Sequence, residues 1–289
     1  VRSRLPETSL PSRTALPAGQ IALEAYWHVG RHLWIHAGQV LVLSAVTWFV
    51  EMAMSLLVSL LLVGASAGVQ AAAQQLALIV AIVTMLLLGG TAIFIDCQRA
   101  IVFGVSPAVG HALKLRPGET RVLRAVCVYW LVVHLVPTVV VNIGYVAAPL
   151  QLDWAPRLPV PASFAFYWGW VLATAPLVVM SLPIVLFETA PSPLAQGRLR
   201  LDGNSGRMFV AGALAFAPLA LVEVGTYMLR RATGPSDGDP NFYWLVDIVL
   251  MSILQNATSF AAILVMSALV AAAYLRLSPR IESVYRVFD

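Results

Sequence analysis

The sequence predicts an all-α polytopic membrane protein. Three observations carry that prediction: composition, the length of the apolar blocks, and the placement of basic residues. Of 289 residues, 60% are hydrophobic and 11% charged, against roughly 45–50% and about 25% in a soluble domain. A water-soluble fold of this size has no interior large enough for so much apolar side chain. Several blocks also exceed the ~20 residues that carry a helix, rising 1.5 Å per residue, across a ~30 Å hydrocarbon core.

Six spans are predicted, at approximately 38–63, 75–97, 122–148, 163–187, 208–229 and 243–275. Residues 1–20 form a flexible tail, 21–275 the transmembrane domain and 276–289 a second tail. The first 20 residues hold three arginines, three prolines and one acid without a compact apolar stretch, which predicts no cleaved signal peptide. Pro137, Pro176, Pro183 and Pro218 fall inside spans and predict kinks, because proline removes a donor and crowds the preceding turn. Gln255-Asn256 interrupts the long last span and predicts a tilt or break there.

Short cytoplasmic loops retain arginine and lysine, and translocated loops lose them. Fifteen basic residues fall on one side of the six spans and three (Arg157, Arg230 and Arg231) on the other, which places both termini in the cytoplasm. Cys97 and Cys127 then lie near the reducing side, with no disulfide or metal framework implied.

The connections after the second and fourth spans share a pattern. Ser106-Pro107, Leu113-Lys114-Leu115 and Arg121 match Ser192-Pro193, Leu199-Arg200-Leu201 and Arg207 without a gap at an offset of 86, and Ser278-Pro279 stands another 86 residues on. Leu23 and Arg31 repeat the leucine-plus-eight-arginine spacing before the first span. The chain therefore reads as three units, each a surface elbow followed by a transmembrane hairpin.

Serine as cap with proline at the first helical position starts each elbow, and Gly118 and Gly203 end it. Leu113, Leu115, Leu199 and Leu201 are expected in the headgroup boundary. Lys114, Arg116, Arg121, Arg198, Arg200 and Arg207, with Arg31 in the first elbow, reach for anionic headgroups. The first elbow, Ile21–Trp34, adds Tyr26, Trp27, His28, His32 and Trp34 at interfacial depth.

A span ending in Glu188, then Ser192-Pro193, a basic elbow and a fresh span resembles the six-helix bacterial membrane proteins grouped with the membrane domain of glycerophosphodiester phosphodiesterases. The resemblance covers about residues 20–280 and implies a fold in the bacterial inner membrane. It does not imply phosphodiesterase activity, which in that group belongs to a separate soluble barrel of roughly 250 residues. This sequence leaves that barrel no room.

Several catalytic signatures are absent from the sequence: it has no Gly-x-x-x-x-Gly-Lys loop, no His-Glu-x-x-His and no Cys-x-x-Cys. His28, His32 and His36 recur every four residues on one helical face, a spacing that can hold a metal. Neighbouring tryptophans and arginines favour an interfacial aromatic and basic face, and no metal or cofactor is expected.

Ionisable groups inside spans are the functional suspects, since charge in hydrocarbon must face protein or water. Glu51, His134, Glu223 and Asp247 are these candidates, and Glu51 and Glu223 stand two repeat lengths apart. Arg230 or Arg231 is within reach of Asp247. Asp96 and Glu188, at the ends of the second and fourth spans, are expected to clamp Arg99, Arg198 or Arg207. Asn256-Ala257-Thr258 matches a glycosylation sequon but lies inside a span.

Two functions fit. One is a non-enzymatic scaffold or accessory subunit of a larger membrane complex, gripping anionic lipid through its elbows, with other membrane proteins as partners and no nucleic acid. The alternative is a small-solute or lipid transporter with a polar centre at Glu51, His134 and Glu223.

Overall fold

A computed structural model describes residues 15–109, 120–131, 133, 136–137, 139–141, 162–163, 165–167, 169–170, 180–188, 192–233 and 242–278. Eight helices are named here: α1 Ala18–Arg31, α2 Leu33–Leu61, α3 Ala67–Phe103, α4 Thr120–Trp130, α5 Ser181–Phe187, α6 Pro193–Leu201, α7 Ser205–Thr233 and α8 Phe242–Leu277. No strand occurs among the described residues. Segments Leu33–Leu61, Ala67–Phe103, Ser205–Thr226 and Ser252–Leu277 are long and apolar enough to cross a membrane, so this is a helical membrane protein. They coincide with the first, second, fifth and last predicted spans. Much of 122–148 and 163–187 lies outside the described residues.

Two elbows are visible. Helix α1 is a separate helix leading into α2, and the break falls at His32 (φ −120°, ψ 28°). Helix α6 leads into α7, and the two are joined at Gly203, whose φ of +75° is open to glycine at little cost. Pro193 occupies the first turn of α6 as expected, but the Ser192 side chain makes no capping hydrogen bond. The proline's fixed φ starts the helix without it. After α3, which stops at Gly104 (φ +65°), Ser106-Pro107 is non-helical, and Lys114, Arg116 and Gly118 lie outside the described residues.

The last helix is the axis of the bundle. It packs against α1, α2, α3, α5 and α7, and every residue from Ser267 to Tyr274 is buried. Small side chains make this possible, because helices in lipid gain little from hydrophobicity and associate through close packing. Ala268, Ala271, Ala272 and Ala273 let neighbouring backbones approach. On α3, Gly89 and Gly90 do the same. A Cβ on Gly89 would lie 2.9 Å from Leu43 of α2 and 3.2 Å from Phe260 of α8, and one on Gly90 would lie 2.7 Å from Ile263.

Helices α3 and α8, at 37 and 36 residues, are each about 55 Å long, well beyond one hydrocarbon core. Their excess length at the elbow end is sheathed by α1, α4, α5 and α6. Helix α7 runs through Pro218 as one element.

Candidate functional site

Helix α5 ends in extended backbone at Glu188, which turns its carboxylate toward α6 and α8. Arg200 holds it from both sides, Nη1 to Oε1 at 2.7 Å and Nη2 to Oε2 at 2.8 Å. This is the parallel two-bond geometry that makes arginine–carboxylate pairs strong. The Tyr274 hydroxyl donates to Oε1 at 2.6 Å, and Arg200 Nη1 also donates to Ser278 Oγ at 2.6 Å. The guanidinium lies over the Tyr274 ring, 5.6 Å from its centroid. Burial disfavours the Arg200 charge, but Glu188 more than reverses that and leaves the group above its ordinary arginine value. Beside this clamp, a Cβ on Gly197 would sit 3.0 Å from the Ser181 backbone nitrogen, so α6 lies directly on the start of α5.

The first elbow is tied down by four further contacts. The Leu16 N–H donates to Asn204 Oδ1 at 3.0 Å, and Arg207 donates to the Leu16 carbonyl at 3.4 Å. The Tyr26 hydroxyl donates to the Ala215 carbonyl at 2.5 Å, and Arg276 pairs with Glu24, its Nε 3.1 Å from Oε2. Burial raises the Tyr26 phenol above its usual range. The turn that ends α6 thus seats the residue that opens α1. The two elbows form one collar around the base of α7 and α8.

At the α1–α2 break, His36 is buried and its Nδ1 lies 2.9 Å from Gln39 Oε1. The Gln39 amide donates to Asp96 at 2.6 Å and to the Ala108 carbonyl at 3.2 Å, so its oxygen is left to accept from His36. The expected histidine face is therefore divided. His28 is at the surface with Trp27, their rings 5.1 Å apart, whereas His36 belongs to an interhelical chain. Glu24 lies four residues before His28 on that same face. Burial pulls His28 below its ordinary value while Glu24 pushes it back up. No group of three or more histidine, cysteine or acidic side chains that could hold a metal forms among the described residues.

Deeper in the bundle, Gln98 Nε2 donates to the Ser267 carbonyl at 2.8 Å and Ser267 Oγ to the Phe94 carbonyl at 2.9 Å, which stitches α3 to α8. Asn256 Nδ2 donates to Glu51 Oε1 at 3.1 Å, both side chains being buried between α2 and α8. Glu223 acts electrostatically on Tyr167. The two glutamates thus engage different neighbours. His134, and the side chains of Asp247 and Arg121, lie outside what the structure describes.

The basic residues divide in a way spacing alone does not show. Arg200 and Arg207 are engaged inside the collar. Arg198 is exposed, and Arg31 is exposed over the Trp27 ring at 5.6 Å. The clamp on Glu188 comes from Arg200, in place of the expected Arg198 or Arg207. In a nine-residue helix packed through Gly197, position 200 is on the inner side and position 198 is not. Leu201 is likewise buried at 1%, whereas Leu199 is 73% exposed, so only one of that leucine pair faces outward.

Tyr274, Gln39, Asn204 and Leu16 were not singled out from the sequence, and Ser278 was noted only as part of a Ser-Pro match. One pairing had a visible signal: Glu188 and Tyr274 are 86 residues apart, the same offset as the Ser-Pro matches. Asn204 and Leu16 carried none, since a backbone partner 188 positions away leaves no trace in local pattern.

No family model, curated protein or solved structure matches this chain.

Proposed function

We propose that the chain is a non-enzymatic scaffold or accessory subunit of a membrane complex. In this reading it has six spans in three elbow-and-hairpin units, both termini are cytoplasmic, and it resides in the bacterial inner membrane. The observation that carries the reading is the filled axis. The centre of the bundle is α8 itself, close-packed from Ser267 to Tyr274, while the outer parts of α2 and α7 present open apolar faces, with Leu56 at 62% and Leu221 at 73% exposure. Described helices that are close-packed at their axis and apolar on their outer faces are suited to packing against neighbours. The six-helix group resembled above belongs to the same proposal, supported by the two elbow-then-span units α1–α2 and α6–α7.

Cross-linking in intact membranes tests it. Single cysteines at Leu56 and Leu221, with Cys97 and Cys127 replaced by serine, should give a discrete adduct with a second membrane protein when treated with a short bis-maleimide. Monomer alone at both positions overturns the proposal.

The transporter reading keeps one supporting observation, the Glu51–Asn256 contact between two spans. Its test is a Glu51→Gln/Glu223→Gln double variant, and unchanged solute flux in that variant overturns it.

A further inference from the structure

We infer that the elbow collar is a docking surface for anionic phospholipid, with Arg31 and Arg198 contacting headgroup phosphate and Arg200 and Arg207 serving only to hold the collar together. This rests on the membrane scaffold reading and goes beyond it by separating two sets of arginines that the sequence treats alike.

On α1, Leu23, Trp27 and Arg31 are spaced four residues apart and line one face. Leu23 is 71% and Trp27 59% exposed, and Arg31 closes the stripe with its guanidinium over the Trp27 ring. Trp34, just past the break, is exposed as well. On α6, Leu194 and Arg198 share a face by the same spacing, and the exposed Leu199 stands beside them. The Leu16–Asn204 bond ties the turn after α6 to the residues just before α1, so both stripes belong to the elbow end of the bundle.

Charge decides the sign of the ligand. The collar's carboxylates are occupied, Glu24 by Arg276 and Glu188 by Arg200, and Asp202 has a partner as well. Arg31 and Arg198 therefore present cations that form no ion pair or hydrogen bond with a carboxylate among the described residues. The apolar side chains around them decide its source. Exposed leucine and tryptophan beside arginine need a ligand that is anionic at one end and hydrocarbon at the other, whereas a free phosphate would leave them in water.

The test uses the full chain purified in mild detergent and titrated with phosphatidylglycerol, phosphatidylcholine or inorganic phosphate, with bound lipid counted by native mass spectrometry. Wild type should prefer phosphatidylglycerol, and millimolar phosphate should not displace it. An Arg31→Gln/Arg198→Gln variant should lose roughly twenty-five-fold of that preference, about fivefold per arginine near an anionic surface, with its melting temperature unchanged. Arg200→Gln should melt lower yet keep the preference in its folded fraction. Equal binding of phosphatidylcholine, displacement by phosphate, or an undiminished preference in the Arg31/Arg198 double variant overturns the inference. The readout is on the isolated protein, so its failure leaves the cross-linking test of the scaffold reading untouched.

Discussion

Along α3, every residue from Gly89 to Gln98 is buried, whereas between Ala67 and Gln75 only Ala72 is. The same gradient runs along α8, whose Ser267–Tyr274 stretch is fully enclosed while Leu250 and Leu254 are exposed. At the elbow end the helices are held by a glutamate–arginine clamp, glycine contacts and side chains bonded to distant backbone groups. At the far end the described helices meet their surroundings through leucine, valine and methionine. The lesson is that stability and surface chemistry are separated along the bundle axis: the elbow end fixes the fold, and the far end is free to vary with whatever covers it.

Substitutions should test that separation, in descending order of effect. Glu188→Ala removes the carboxylate that Arg200 and the Tyr274 hydroxyl share and should cost on the order of 3 kcal/mol, as breaking a largely enclosed ion pair does, read as a large drop in melting temperature in detergent. Gly197→Ala should cost about 1–3 kcal/mol by forcing α6 off the Ser181 backbone, measurable as lower melting with faster proteolysis after Arg198. Asn256→Ala removes one interhelical bond and should cost about 0.6 kcal/mol, the average for such bonds in membranes.

Leu56→Ala and Leu221→Ala should fall within about 0.5 kcal/mol of wild type. If either far-end change destabilised as much as Glu188→Ala, the separation would be wrong. Smallest of all is a pH effect at the collar surface. Burial holds His28 below the ordinary histidine value of about 6.5, so the unfolded chain binds more protons just below that pH, and stability falls as pH drops from about 6.5 toward the folded value. Melting measured across that window should be flatter in His28→Gln.

Four spans were legible because hydrocarbon imposes a length and a composition that few residues can disguise. Their ends were less legible. Helix α3 begins eight residues before the predicted 75 and ends six after 97, because Asp96 and Gln98 read as terminating polarity but are bonded inside the bundle, Asp96 to Gln39 and the Gln98 amide to the Ser267 carbonyl. Glu188 was legible as a clamp without its partner, since choosing among Arg198, Arg200 and Arg207 depends on how α6 is rotated, and that is set by Gly197. Polarity within a span flagged Glu51, but only the packing of α2 on α8 showed that Asn256, noticed as part of an inert sequon, was its partner.

The bond between Leu16 and Asn204 also bears on the order of assembly. A chain synthesised from its N-terminus makes the first elbow long before the turn that receives it, and the receiving residue arrives 188 positions later. Until α7 has entered the membrane, α1 has neither the Asn204 side chain nor the Ala215 carbonyl to bond. The contact of α1 with α7 therefore closes late. A chain arrested before residue 204 should leave α1 open to protease, and the same segment should become protected once α7 and α8 are in place.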